Sequence, residues 1–211
     1  VGIGTSKIIL VQSFPFAIAL AAYPLLGRID KIILGTFKSY EIVGIYNAAW
    51  VVLLTGFIVP SVLRQSVTPL LARSKTSSRI SDLILSSKIV SYPLIAIGIP
   101  ASIFISGALL EIIFPGIFFE DRGFPELVGV QLFIFLLPAW VWAMLSSSTL
   151  ESLKYHKNSW SLATTIGVSI ILNVIFGILL IGRWSIIGVA ISSIIAQFSI
   201  FIISSSLVMK E

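Results

Sequence analysis

Three ionisable side chains, Arg28, Asp30 and Lys31, fall within four positions of PLLGRIDKIILGTF, a stretch at residues 24–37 that is otherwise almost wholly apolar. On a helix, an arginine and a lysine three residues apart share a face, while the aspartate between them points elsewhere. Guanidinium and ammonium groups on one face match the oxygens of an anionic ligand, phosphate above all. A carboxylate turned aside suits a pair with a neighbouring helix. A further cation, Arg64, follows a long apolar run in PSVLRQSVTPLLARS with Gln65 beside it. It reads either as the inner end of a cavity or as an interfacial arginine. Lys88, six positions after Asp82, reads as interfacial.

The setting of these charges decides what they do. Hydrophobic residues make up 57% of the 211 and charged residues 11%, with a mean hydropathy of +1.07. Soluble domains carry roughly 25% charged residues, so the solvent here is a bilayer and the fold class is all-α integral membrane. An ionisable group at the bilayer centre costs about 2.5–3.5 kcal/mol, which rules out three of them facing lipid. Arg28, Asp30 and Lys31 are therefore either an interfacial collar whose long side chains snorkel to the headgroups, or a lip on a water-filled cavity. The cavity is the preferred reading, and Asp30 is then the one clearly intramembrane acid.

A hydrocarbon core of about 30 Å takes about 20 apolar residues per helix. The apolar runs predict a six-helix transmembrane bundle, with helices near 8–36, 41–71, 82–109, 125–150, 160–181 and 186–208. The breaks are FKSYE, RSKTSSRIS, EIIFPGIFFEDRGFPE, ESLKYHKNS and GRWS. Trp160 and Trp184 frame the fifth helix, where indole rings favour the two membrane interfaces. With six spans, one side holds Lys7, Arg73, Lys75, Arg79, Lys154, Lys157 and Lys210, against Lys38, Arg122 and Arg183 on the other, whose longest loop is acidic. The positive-inside rule then places both termini in the cytoplasm and the chain in the plasma membrane.

Prolines 15, 24, 60, 69, 93, 100 and 138 fall in the first four expected helices and none in the last two. Each frees a carbonyl and bends its helix, so bent helices around a cavity, backed by two straight ones, suit a transporter. Gly188, Ser192 and Ala196 give the last helix a small face for close packing. Gly167 and Gly177 do the same on the fifth, where Asn173 can hydrogen-bond between helices. The serine triplets at 146–148 and 204–206 read as packing residues.

Other functions find little footing. The net charge of +5 is scattered between apolar blocks and forms no stripe for nucleic acid. There is no cysteine, so thiol chemistry is excluded. The sole histidine, His156, lies in a basic segment without triad partners and cannot build a multi-histidine metal site. No phosphate-binding glycine loop is present. No enzyme, metal or cofactor is expected. The chain opens on Val1 without a signal-peptide pattern, which reads as part of a longer protein.

The stretch FPFAIALAAYPLLGRIDKIILGTFKSYEIVGIYNAAW resembles the start of the second half of polysaccharide-export flippases, the Wzx-like, MATE-related branch of the MOP superfamily. The similarity rests on Pro15, Arg28, Asp30, Gly35, Phe37, Gly44 and Tyr46, on PLLAR at 69–73, and on ILNVIFGILLIGRWSIIGVAISSIIAQ with Asn173 and Gly188–x–Ala190. Gly182–Arg183–Trp184 replaces the proline usual before the final turn. The resemblance implies one half of a two-bundle transporter that moves lipid-diphosphate-linked oligosaccharide by alternating access. It implies a missing N-terminal six-helix half, or a second copy, as partner, alongside membrane lipids. Arg28, Lys31 and Arg64 are then cationic contacts for the diphosphate, and Tyr46 and Asn47 line the same cavity. Asp30 serves an interhelical pair or coupling to a cation. The alternatives are a MATE-like drug or cation antiporter and a non-transporting membrane subunit.

Overall fold

The computed structural model describes residues 3–74, 76–113, 127–156 and 159–209. Within them the chain is helical throughout: α1 (Ile3–Phe37), α2 (Tyr40–Gly56), α3 (Ile58–Arg73), α4 (Ser77–Ile113), α5 (Leu127–His156) and α6 (Ser159–Met209). Four stretches, Tyr40–Arg73, Ser78–Leu110, Gln131–Tyr155 and Trp160–Val208, are long and apolar enough to cross a bilayer. The molecule is an all-α membrane protein. The acidic part of the expected outer loop (Glu120, Asp121, Glu126), Arg122 and three of the expected inner cations (Lys75, Lys157, Lys210) lie outside the described residues.

The expected helix at 41–71 is divided at Phe57, whose backbone stays close to helical (φ −70°, ψ −8°). The joint has a cause three residues on. Pro60 cannot donate to the carbonyl of Gly56, and in hydrocarbon no water replaces that bond. The indole Nε1 of Trp140 donates to the Gly56 oxygen at 2.8 Å instead. Room for that indole comes from two glycines: a Cβ on Gly56 would stand 3.3 Å from Trp140, and one on Gly98 2.9 Å from it.

The GRWS break is a reversal inside α6. Ser185 takes φ 47°, ψ −125°, a left-handed conformation that side chains other than glycine rarely adopt. The two arms then run back along each other: the Ser169 and Ser199 hydroxyls meet at 2.7 Å, and Ser192 donates to Asn173 Oδ1 at 2.7 Å. Close to the turn the arms nearly touch, since a Cβ on Gly188 would stand 2.5 Å from the Leu180 carbonyl oxygen. Ser192 and Ala196 of the small face are both buried.

Helix α5 is the hub. It packs on α2, α3, α4 and α6, while α1 packs chiefly on α6. One apolar core joins the end of α1 and α2 to α5 around Tyr46, Leu136 and Trp140. Another joins α1 to the far ends of α5 and α6 around Leu153, Leu162 and Ile200. Ser146, Ser147 and Ser148 are buried, and Ser146 and Ser147 return their hydroxyl protons to carbonyls three residues back, which lets polar side chains pack without a partner helix. The outward face of α4 carries Ile97, Phe104 and Ile112, at least 70% exposed and suited to lipid. Trp160 and Trp184 are half-exposed and about 36 Å apart along the first arm of α6, more than the roughly 30 Å thickness of a hydrocarbon core.

Candidate functional site

The charge cluster on α1 separates as its spacing requires. Asp30 is fully buried. Its Oδ2 accepts from Tyr46 Oη at 2.8 Å and from Ser193 Oγ at 2.6 Å, and its Oδ1 accepts from Asn173 Nδ2 at 2.9 Å. Asn173 is held in turn by Ser192. One carboxylate thus ties α1 to α2 and to both arms of α6. A buried carboxylate is costly unless its oxygens are satisfied, and here both are. The Asp30 carboxylate is thus hydrogen-bonded between helices and does not line the cavity beside Arg28 and Lys31.

Arg28 and Lys31 face the other way. Together with Tyr23, Trp50, Phe57 and Gln197 they line a cavity of about 360 Å³ between α1, α2 and the second arm of α6. Neither side chain makes a hydrogen bond or an ion pair to another described residue. Their N–H donors are therefore available to the cavity. Trp50 forms one wall: it stacks on Tyr46 at 9° between ring planes, and a Cβ on Gly27 would stand 3.1 Å from its ring. The small residue at position 27 thus lets α1 close on the indole.

Tyr46 and Asn47 do not line this cavity, contrary to expectation. The Tyr46 hydroxyl is committed to Asp30 and the side chain is fully buried. One helical turn further along α2, Trp50 stands at the cavity in its place. Asn47 is half-buried and also outside the lining.

Arg64 occupies the opposite end of the same groove. Two further cavities, of about 260 Å³ and about 20 Å³, meet the first at Tyr23, and Arg64 lines both. Most of the α1 residues along them, among them Leu20, Tyr23, Pro24, Gly27, Arg28 and Lys31, pair at separations of three or four, so the groove follows one side of α1. The Arg64 guanidinium stands 6.0 Å from the centre of the Tyr23 ring, within cation–π reach, and its Nε is 3.5 Å from Glu151 Oε1.

Two groups escape the sequence reading. Glu151, assigned to a polar break, belongs to α5 and is buried at 3% exposure, so Asp30 is not alone as a buried acid. Gln197 is 8% exposed, lines the cavity beside Arg28 and Lys31, and has no hydrogen-bond partner among the described residues. A lone glutamine in ISSIIAQFSIF carries no local sign of this; only its place opposite α1 reveals it. Lys88 lies outside the groove, with its ammonium 5.5 Å from the centre of the Phe201 ring. Among the described residues no group of three or more metal-ligating side chains occurs.

Comparison with known proteins gives one informative similarity. No family model matches the chain, and no solved structure matches it. A protein described as an uncharacterized membrane protein, from Methanocaldococcus jannaschii, is 26% identical over 196 residues, which are 92% of this chain and 44% of that protein. The chain spans less than half the length of the curated relative it matches.

Proposed function

We propose that the chain forms half of a membrane flippase that translocates lipid-diphosphate-linked oligosaccharide for polysaccharide export by alternating access. The observation that carries the reading is the cavity in which Arg28 and Lys31, with their donors unused by the protein, stand among aromatic walls with Gln197. Two cations of this kind suit a diphosphate, and the buried amide suits a sugar hydroxyl or an ester oxygen. In this reading the α2–α3 pair makes one crossing and the two arms of α6 make two, giving six spans with both termini cytoplasmic in the plasma membrane. A further six-helix half, or a second copy, closes the groove. The prolines of α1 and α3 let these helices bend as the halves rock. A cation antiporter would place a carboxylate on the cavity wall, whereas Asp30 lies sealed behind α1, so the anionic substrate is favoured.

The test is glycan export in cells carrying the full-length protein with Arg28→Gln and Lys31→Gln together. Export is lost while the amount of protein in the membrane is unchanged. Normal export in the double variant would overturn the assignment.

A further inference from the structure

At the end of the groove remote from Arg28, two cations converge on one buried carboxylate. Glu151 Oε1 accepts from Lys154 Nζ at 2.7 Å and lies 3.5 Å from Arg64 Nε. Its other oxygen receives a long contact of 3.4 Å from Thr68 Oγ1. The carboxylate sits behind the cations, with 4% of its side chain exposed against 31% for Arg64 and 20% for Lys154. Arg64 carries five N–H donors and makes no side-chain hydrogen bond among the described residues. Lys154 donates to Glu151, which leaves two of the three hydrogens of an ammonium free. Both side chains line the cavity of about 260 Å³, whose remaining wall is Tyr23 and apolar residues including Leu162 and Ile166. Two positive charges less one negative leave a net charge of +1 on this cavity.

We propose that Arg64 and Lys154 form a second anion site, for a phosphate-type group, with Glu151 positioning both cations from behind. The inference rests on the flippase reading for the identity of the natural ligand, while the site itself rests on the cluster. It deepens that reading: a diphosphate moving along α1 meets cations at each end of the groove, with Tyr23 between them. Glu151 fixes the orientation of the two donors and halves their combined charge. The inner site therefore holds its anion more weakly than the bare pair would, as release from one end of a path requires.

Inorganic pyrophosphate, titrated calorimetrically against the full-length protein in phosphatidylcholine nanodiscs, tests the proposal. In the Arg28→Gln/Lys31→Gln background pyrophosphate still binds, and adding Arg64→Gln or Lys154→Gln weakens that binding about tenfold or more, a loss of about 1.4 kcal/mol or greater. Glu151→Gln, whose amide oxygen still accepts from Lys154, removes the opposing charge and tightens binding about tenfold. Phosphatidylglycerol in the nanodisc competes if the site takes lipid headgroups and does not compete if it takes soluble or carrier-borne phosphate; either result supports the site. Complete loss of binding in the Arg28→Gln/Lys31→Gln background overturns the inner site and leaves the outer one standing. Unchanged affinity in Glu151→Gln also overturns it. Loss confined to Arg64→Gln and Lys154→Gln, with none from the outer pair, supports the inner site and removes the flippase reading of Arg28 and Lys31.

Discussion

Replacing Asp30 by asparagine tests whether one carboxylate holds α1, α2 and α6 together. The substitution keeps the shape and one acceptor oxygen. If that oxygen keeps Tyr46 and Ser193, which share Oδ2, the new amide NH₂ faces the Asn173 amide, donor against donor. Asn173 cannot turn over freely, because its own oxygen accepts from Ser192. One buried donor pair is therefore left unsatisfied, at about 1–3 kcal/mol per group. Leucine at position 30 removes every acceptor, but the donors recover in part. Tyr46 has Ser193 Oγ at 3.3 Å, Ser193 has the Val189 carbonyl at 3.4 Å, and Asn173 has the Leu26 carbonyl at 3.5 Å. These substitutes are longer than the bonds lost, so Asp30→Leu costs about 1–3 kcal/mol for each buried donor left poorly satisfied. At about 2–4 °C per kcal/mol for a chain of this size, the low end for the two groups, about 2 kcal/mol, lowers the melting temperature of Asp30→Asn in detergent by at least about 4–8 °C. Combining it with Asn173→Leu costs less than the sum of the single changes, with a coupling of about 1–2 kcal/mol. An Asp30→Asn protein that melts within about 1 °C of the parent would refute the reasoning.

Other consequences are of the same kind. Trp140→Phe keeps an aromatic ring but withdraws the outer indole atoms from Gly98 and leaves the Gly56 carbonyl without its donor; thermal melting should show a loss of at least about 1–3 kcal/mol. Gly188→Ala drives a methyl group into the Leu180 carbonyl and costs about 1–3 kcal/mol, whereas Gly182→Ala, with nothing within 4 Å of the added carbon, melts like the parent. Ser185→Gly relieves the positive φ at the reversal of α6 and raises stability by about 1 kcal/mol.

What the sequence discloses and what it hides follow from the range of the interactions. The turning of Asp30 away from Arg28 and Lys31 is a property of one helix, so the spacing alone shows it. Asn173 is recognisable as an interhelical hydrogen-bonding group because a lone amide in an apolar helix needs a partner. Its pairing with Asp30, 143 residues away, depends on how α1 lies against α6, which no local pattern encodes. Tyr46 illustrates the same limit: its helix is legible, but which of Tyr46 and Trp50 reaches the groove is set by the rotation of α2. Glu151 is hidden for a different reason. ESLKYH is polar enough to resemble a loop, yet α5 is surrounded by four helices, and burial there extends the helix through the polar residues. Pro60 announces a disturbance between α2 and α3, while the donor that heals it comes from Trp140, 84 residues on from the Gly56 carbonyl.

The most direct measurement uses a single cysteine at position 54 of the full-length protein, where Leu54 lines the cavity beside Arg28 and Lys31, in a region whose native sequence contains no cysteine. With the protein reconstituted in vesicles, a membrane-impermeant thiol reagent should label the Leu54→Cys variant from water. Lipid-diphosphate-linked oligosaccharide should slow that labelling, while the lipid carrier without its diphosphate should not. Complete protection of the cysteine in every condition, or labelling that the substrate leaves unchanged, would contradict a water-filled cavity that receives the diphosphate.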